Sequence, residues 1–263
     1  MKRHCLASLL SLVFALPLAV GAGAQDASTA AEAQAPVQVL MLPLLEPDER
    51  ARWTAIGAVN RAGLTTRAGC TGTLVAPDLV LTAAHCVPNQ WGPDAAGGHR
   101  VFVAGLDVGG HVTHRRSDEI TQHPVYLAAR GTMRFGFDIA VFTLDTPIPS
   151  DLVAPLEIAP REAERAADRF GIVGYARKRP YALSGRFDCL PVPSPYPGAI
   201  VTDCPVVSGN SGAPLLVEAD GKWRVAGVLV ATLGKVGPGR SMAIPLPDWV
   251  RDRIDAAREA AGG

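Results

Sequence analysis

The sequence lacks an excess of charge of either sign, because 25 Lys and Arg residues balance 25 Asp and Glu residues. This balance argues against nucleic acid or an anionic membrane surface as a partner. Charged residues make up only 19% of the chain and hydrophobic residues 48%, which excludes a disordered chain. After the amino-terminal segment no apolar run is long enough to span a bilayer, so we expect no membrane association once that segment is removed.

The amino-terminal segment has the features of a secretory signal. A basic start, Met1 to His4, is followed by an apolar run from Leu6 to Val20, and Ala22-Gly23-Ala24 has the small residues of a cleavage site. We therefore predict a signal peptide over 1–24 and a secreted or periplasmic protein. Residues 25–51 are rich in Ala, Gln and Pro without a sustained period, which predicts a linker or propeptide.

Cysteine is scarce, and the few cysteines fit an exported protein. Removal of the signal takes away Cys5 and leaves Cys70, Cys86, Cys189 and Cys204. An even number of cysteines in an exported chain indicates two disulfides. Four cysteines allow three pairings, and their spacing alone does not choose among them.

The rest of the chain is typical of an all-β protein. Short apolar, β-branched runs alternate with turn signals supplied by 27 Gly and 22 Pro residues. Two stretches predict helices, over 161–169 and over 249–260, with Asp248 as a cap for the second. The length of 263 residues allows a large single unit or two compact barrels that share an interface.

Three segments carry candidate catalytic residues, and the first ends at a histidine. The strand-like run Leu79-Val80-Leu81 is followed by Thr82-Ala83-Ala84, whose small side chains allow a tight turn before His85. Histidine suits a general base because its pKa lies near neutral pH. A lone histidine is more often a structural residue, but this surrounding segment favours a catalytic one.

The second segment is Gly136-Phe137-Asp138-Ile139-Ala140, in which a carboxylate leads directly into an apolar strand. Such a carboxylate is at least partly buried and needs strong hydrogen bonds. Asp138 can therefore orient a histidine and stabilise the imidazolium formed during turnover. Taken alone, an Asp before a strand is more often a turn residue.

The third segment is Ser208-Gly209-Asn210-Ser211-Gly212-Ala213, in which glycines flank a serine. Glycines permit a strained turn and close approach of a substrate. The backbone N–H groups of Gly209 and Ser211 could then point together at a carbonyl oxygen and form an oxyanion hole. A surface turn is the plainer interpretation, but the apolar run that follows directly argues against it.

Together the three segments resemble the signature motifs of the trypsin/chymotrypsin-like serine peptidases. The order His, Asp, Ser matches, with spacings of 53 (138 − 85) and 73 (211 − 138) residues. The resemblance covers roughly residues 51–250. Gly-Asn-Ser-Gly around Ser211 further resembles the bacterial glutamyl-endopeptidase-like branch.

The resemblance implies a fold and a mechanism. It implies two antiparallel six-stranded β-barrels, over 52–150 with His85 and Asp138 and over 151–263 with Ser211, with the active site between them and a C-terminal helix. It implies a secreted serine endopeptidase that hydrolyses peptide bonds of protein or peptide substrates through an acyl-enzyme. It also implies the disulfides Cys70–Cys86 and Cys189–Cys204, and no cofactor or metal. We expect a monomer.

The sequence departs from animal trypsins at two places. Asn210 stands where those enzymes carry an Asp that pairs with a new amino terminus, so we infer that this activation is absent. Pro205 stands where trypsin-type enzymes place an Asp at the floor of the specificity pocket, and Asp203 lies nearby. The run Gly227 to Thr232 lacks the histidine that glutamyl endopeptidases use there. An apolar or small preference is suggested by Val206, Val207, Val230 and Ala231.

Other functional classes fit less well. An inactive binding module usually lacks one of the three catalytic residues, and none is lacking here. An α/β-hydrolase needs Gly-x-Ser-x-Gly and the order Ser, Asp, His, whereas this chain has Gly-x-Ser-Gly-Ala and the order His, Asp, Ser. We expect no attached peptide-binding module, because only 52 residues (263 − 211) follow Ser211. The remaining histidines, His99, His111, His114 and His123, show no metal-ligand spacing, and we expect ordinary surface roles for them.

Overall fold

The computed structural model describes residues 41–61, 63–64, 69–87, 98–234 and 239–262. The predicted signal peptide over 1–24, and residues 25–40 of the predicted linker, lie outside the described residues. The described chain is mostly β. Its thirteen strands form two sheets, and four α-helices lie outside them. No helix among the described residues is long and apolar enough to cross a membrane.

The first sheet is a closed six-stranded barrel, in agreement with the expected first barrel. Its hydrogen-bonded order is β1-β2-β3-β6-β5-β4, and β1 closes the ring by pairing with both β2 and β4. All neighbouring pairs are antiparallel. The six strands are β1 Ile56–Asn60, β2 Cys70–Ala76, β3 Leu79–Thr82, β4 Val101–Ala104, β5 Thr113–Gln122 and β6 Ala140–Leu144.

The second sheet differs from the expected six-stranded barrel, because it has seven strands and does not close by hydrogen bonds. Its order is β8-β7-β11-β12-β13-β10-β9. The two edge strands β8 and β9 are separated in the chain by Leu190 alone. The strands are β7 Phe170–Ala176, β8 Arg179–Cys189, β9 Pro191–Val192, β10 Ile200–Thr202, β11 Pro214–Ala219, β12 Lys222–Leu233 and β13 Arg240–Pro245.

The interruption at Leu190 explains why seven strands replace six. The Leu190 N–H donates to the Asp203 carboxylate at 2.8 Å, and the Leu190 carbonyl accepts from the Asp203 N–H at 3.0 Å. The disulfide Cys189–Cys204 lies directly beside this contact. The run that would be one long strand therefore bends, so that β8 pairs with β7 and β9 pairs with β10.

Four helices accompany the sheets: α1 Pro47–Ala51, α2 Pro124–Ala128, α3 Arg161–Ala166 and α4 Asp248–Gly262. The helix expected over 161–169 is thus shorter, since Phe170 already begins β7. The helix expected over 249–260 begins one residue earlier and ends two residues later. Asp248 is its first residue instead of a cap outside it.

Helix α4 follows β13 of the second sheet and packs on the closed barrel. Its apolar side buries Val250 and Ile254 completely, while Trp249 is only partly buried. Arg258 donates from Nε to the Val75 carbonyl of β2 at 2.9 Å. Arg253 donates to hydroxyls of β5 and β6, both at 3.0 Å.

Part of the segment 25–51, predicted as a linker or propeptide, is built into the fold. Leu42 and Leu45 are only 2% and 5% exposed. The Leu45 N–H donates to the Leu183 carbonyl of β8 at 3.1 Å, and the Pro43 carbonyl accepts from the Gly185 N–H at 2.9 Å. Residues 41–45 therefore lie along the second sheet before α1 leads into the closed barrel.

Candidate active site

The turn that presents His85 is fixed from three directions. Strand β3 ends at Thr82, and a 3₁₀ turn over Ala84–Cys86 follows Ala83. A disulfide joins Cys86 of this turn to Cys70 of β2. Gln122 of β5 donates from Nε2 to the Ala84 carbonyl at 2.8 Å.

A buried arginine supports the same turn from behind. Arg100 is 6% exposed, and its Nε donates to the Cys86 carbonyl at 2.8 Å. The imidazole of His85 remains accessible, with 37% of its side chain exposed. The turn therefore holds the backbone of His85 firmly while leaving its ring open to a ligand.

Asp138 lies directly against His85. A 3₁₀ segment over Gly131–Phe137 precedes Asp138 and β6 begins at Ala140. The carboxylate is buried, and its Oδ2 lies 2.6 Å from His85 Nδ1 while its Oδ1 accepts the His85 N–H at 2.8 Å. This contact favours the tautomer with the proton on Nδ1, which leaves the Nε2 lone pair available to take a proton.

Tyr126 of α2 lies near the carboxylate as a neutral phenol. Burial, together with the negative charge of Asp138, raises the pKa of Tyr126 to about 12, against the opposing charge of Arg134. The Arg134 guanidinium lies over the Tyr126 ring, 4.2 Å from its centroid. Tyr126 therefore adds no competing negative charge beside the histidine.

The loop that carries Ser211 depends on two glycines in conformations that other residues rarely adopt. Gly209 has φ +105° and Gly212 has φ +81°. A Cβ on Gly212 would lie 2.2 Å from the Thr71 carbonyl oxygen, and one on Gly209 would lie 2.6 Å from the Arg177 nitrogen. Both positions therefore exclude larger residues by strain and by contact.

Asn210 locks this loop without an ionic partner. Its side chain is 1% exposed, accepts from the Val207 N–H at 2.8 Å through Oδ1, and donates to the Tyr175 carbonyl at 3.0 Å through Nδ2. The side-chain amide has both a donor and an acceptor, and the loop uses both. A carboxylate would offer only acceptors in the same place.

Two carbonyl groups of the loop are also held away from the cavity. The Ser208 carbonyl accepts from the Arg177 N–H at 2.7 Å, and the Gly209 carbonyl accepts from the Thr71 hydroxyl at 2.8 Å. The N–H groups of Gly209 and Ser211 donate to no other residue in the described part of the chain. They are thus free for an oxygen of a ligand.

Thr71 is a residue that the sequence motifs did not single out. Its hydroxyl accepts from the Tyr175 N–H at 3.0 Å and donates to the Gly209 carbonyl, and its own N–H donates to the Ser211 carbonyl at 2.8 Å. It is fully buried. The side chain therefore ties β2 of the closed barrel to the serine loop of the second sheet.

Two cavities meet at Ser211. The larger has a volume of about 470 Å³ and is lined by both Ser211 and His85. The Ser211 hydroxyl makes no hydrogen bond to a described residue, so its orientation is open. Catalytic hydrogen bonds are often formed only when the substrate binds.

The second cavity, of about 190 Å³, lies on the other side of the serine. It is lined by Val206, Val207, Ser208, Asn210, Ser211, Leu229, Val230, Ala231 and Thr232. These described residues include no charged side chain. Asp203 is not among them, because its carboxylate accepts from the Leu190 N–H at the sheet edge.

Among the described residues, one cluster of potential metal ligands occurs, and it consists of Cys70, His85 and Cys86. The two sulfur atoms are joined in a disulfide and cannot act as thiolates. Of the other histidines, His111 and His114 contact each other, with 3.2 Å between ring nitrogens.

A barrel and a sheet that bring an accessible histidine, held by a buried aspartate, and a glycine-flanked serine to one cavity are typical of the trypsin-like peptidase domain. The model of that family, described as trypsin-like peptidase domain, matches residues 70–228. The chain therefore belongs to this family.

One curated relative is a protein named Trypsin from Saccharopolyspora erythraea, 35% identical over 92 residues. The alignment covers 34% of this chain, and the chain spans only 35% of the length of that relative. Neither similarity distinguishes a branch within the trypsin-like family. Membership of the glutamyl-endopeptidase-like branch stays a prediction.

Proposed function

We propose that the protein is a serine endopeptidase in which His85, Asp138 and Ser211 form the catalytic triad. The observation that carries this proposal is the 2.6 Å contact between His85 Nδ1 and a buried Asp138 carboxylate, in a cavity that Ser211 also lines. Family membership supports the same class of reaction.

The reaction proceeds by acyl transfer. The Ser211 oxygen forms a bond to the carbonyl carbon of the scissile peptide while its proton passes to His85 Nε2. The carbon–nitrogen bond then breaks, and His85 gives that proton to the leaving amine. Water repeats the two steps against the acyl-enzyme, releasing the carboxylic acid and restoring Ser211.

The N–H groups of Gly209 and Ser211 form the oxyanion hole in this proposal. Their lack of partners among the described residues supports the assignment. Charge that develops on the substrate oxygen is stabilised by donors already in position, each worth about 3–4 kcal/mol in comparable sites.

The cavity of about 190 Å³ receives the side chain on the acyl side of the scissile bond. Its small volume and its uncharged described lining favour a small or apolar side chain such as alanine or valine. Neither a basic nor an acidic side chain would find a charged partner there.

The protein acts in an oxidising compartment, secreted or periplasmic. The two disulfides, Cys70–Cys86 and Cys189–Cys204, support this location because cytosolic proteins rarely keep such bonds. The predicted signal peptide over 1–24 agrees with it. We propose a monomer that uses no metal or cofactor.

A fluorophosphonate probe with mapping of the labelled peptide tests the proposal. We expect labelling at Ser211 in the native protein, no labelling after denaturation, and almost none in His85→Ala. In Ser211→Ala we expect a folded protein whose kcat on peptide substrates falls on the order of 10⁶-fold.

Native protein that is neither labelled nor active would contradict the proposal and favour a protease-like binding module. Thermal unfolding of the two variants controls for loss of fold. Labelling of Ser211 together with cleavage of esters but no internal peptide bond would refute the endopeptidase assignment alone.

A further inference from the structure

The cavity of about 470 Å³ lies on the leaving-group side of the candidate active site. His85 lines this cavity and does not line the smaller one. In acyl transfer the histidine donates its proton to the leaving amine, so the leaving amine lies on the side of the imidazole. The residues that follow the scissile bond therefore occupy the larger cavity.

The lining of this cavity carries positive charge. Three of its residues are arginines, namely Arg61, Arg100 and Arg177, and none of its described residues is Asp or Glu. The chain as a whole has a formal net charge of +0, so this concentration is a local feature. A cleft lined by one sign of charge attracts ligands of the other sign.

Arg177 stands out among the three arginines. It follows β7 directly, and its N–H donates to the Ser208 carbonyl of the serine loop at 2.7 Å. Its side chain is exposed and makes no hydrogen bond or ion pair with a residue in the described ranges. The backbone is thus fixed beside the oxyanion hole while the guanidinium is available to a ligand.

The positive lining continues away from Ser211. A neighbouring cavity of about 410 Å³ shares Arg61 and is also lined by His99, His114 and Arg116, with no Asp or Glu among its described residues. Arg100 is oriented by the carbonyls of Cys86 and His99. A peptide leaving the active site in this direction therefore passes Arg61 and then Arg116.

We propose that this leaving-group cleft binds a carboxylate in the first or second residue after the scissile bond, and that Arg177 is the residue that selects it. The planar guanidinium matches a carboxylate with two parallel hydrogen bonds. The inference rests on the proposed peptidase function and defines its substrates more narrowly, as peptides that are acidic after the cut.

Hydrolysis of matched peptides tests the inference. The peptides share alanine or valine before the scissile bond and carry Glu, Gln or Lys at the first or second position after it. Each is made with a free and with an amidated carboxyl end, because a terminal carboxylate offers the same chemistry as a side chain. The measured quantity is the ratio of kcat/KM for the Glu peptide to that for the Gln peptide.

We expect the wild-type ratio to be about fivefold, the size of a good exposed ion pair, and to shrink with added salt. Arg177→Gln should bring the ratio close to one, and Arg177→Glu should favour the Lys peptide. Lys178→Gln is the matched control, since Lys178 is the next residue, is exposed and does not line the cleft. Its ratio should equal the wild-type ratio.

The outcomes separate the two proposals. Cleavage of all peptides with a ratio of one would overturn the inference and leave the peptidase function intact, and so would equal losses in Arg177→Gln and Lys178→Gln. A preference for the amidated series would also overturn it. The same peptides, labelled with a fluorophore, also bind to Ser211→Ala, and anisotropy then measures the difference in affinity between Glu and Gln peptides without turnover. A protein that binds Glu peptides more tightly but cleaves none would refute only the peptidase function.

Discussion

Asn210→Asp is the sharpest test of how the serine loop is held. The change alters one group without altering size, because the side-chain NH₂ is replaced by an oxygen. That NH₂ donates to the Tyr175 carbonyl at 3.0 Å, so an ionised carboxylate would lie against a carbonyl oxygen in a site that is 1% exposed. In the described part of the chain, the Asn210 side chain bonds only to backbone groups, those of Val207 and Tyr175, and not to a cationic side chain. We therefore expect the folded protein to resist ionisation of the new carboxyl group.

The magnitude follows from the cost of an unpaired buried charge, about 3–5 kcal/mol. At ~1.36 kcal/mol per pKa unit, the folded pKa of the new carboxyl group lies about 2–4 units above its unfolded value of about 3.9. A raised folded pKa means that the variant matches the wild type below about pH 4, when the protonated group can still donate to Tyr175. The loss of stability then grows with pH and levels off between about pH 6 and pH 8.

Urea unfolding of wild type, Asn210→Asp and Asn210→Ala from pH 4 to pH 8 measures this loss. Asn210→Ala removes the same hydrogen bonds without adding charge, so its loss should not change with pH. An Asn210→Asp protein as stable as the wild type at pH 8 would refute the reasoning. It would mean that a cation, such as a chain terminus, reaches the loop.

Two further changes test the contacts around the site. Thr71→Val leaves the Tyr175 N–H and the Gly209 carbonyl without a partner, so we expect the free energy of unfolding to fall by about 2 kcal/mol and kcat to fall about tenfold. Thr71→Ser keeps the hydroxyl and should restore both. A Val variant with wild-type kcat would contradict a positioning role for Thr71. Replacing either cysteine pair by alanine should cost about 3 kcal/mol in urea unfolding, since the linked residues are 16 and 15 positions apart. Only loss of Cys70–Cys86 should also lower kcat, because that disulfide holds the His85 turn, and equal kcat losses for both pairs would contradict this.

The candidate catalytic residues could be predicted from the sequence because the residues next to each of them form a recognisable local pattern. Small residues before His85, an apolar strand after Asp138 and glycines around Ser211 are local patterns. The contacts that support them are not local. Thr71 donates to the carbonyl of Gly209, a residue 138 positions later, and no short pattern marks such a pair.

The same distinction explains the differences in the fold. The alternation of apolar runs and turns predicts strands, but the bend at Leu190 depends on Asp203, which reaches back 13 positions to its N–H. Residues 41–45 end a stretch that the sequence marks as a linker, yet Leu42 and Leu45 are buried and the backbone pairs with β8, a contact that depends on residues far along the chain. The proposed selection of a carboxylate by Arg177 likewise depends on a distant contact, because β7 ends beside the loop that carries Ser211.

The docking of α4 on the closed barrel has a consequence for the order of folding. Strands β1 to β6 are synthesised first, but some of their hydrogen bonds need residues of α4. The carbonyls of Val75 and Leu156 accept from Arg258, and the hydroxyls of Thr121 and Thr143 accept from Arg253. Residues 52–150 are therefore incomplete as a separate folding unit, whereas most domains fold as they emerge. The closed barrel that carries His85 and Asp138 therefore receives the four hydrogen bonds from Arg253 and Arg258 only after the second sheet has been synthesised.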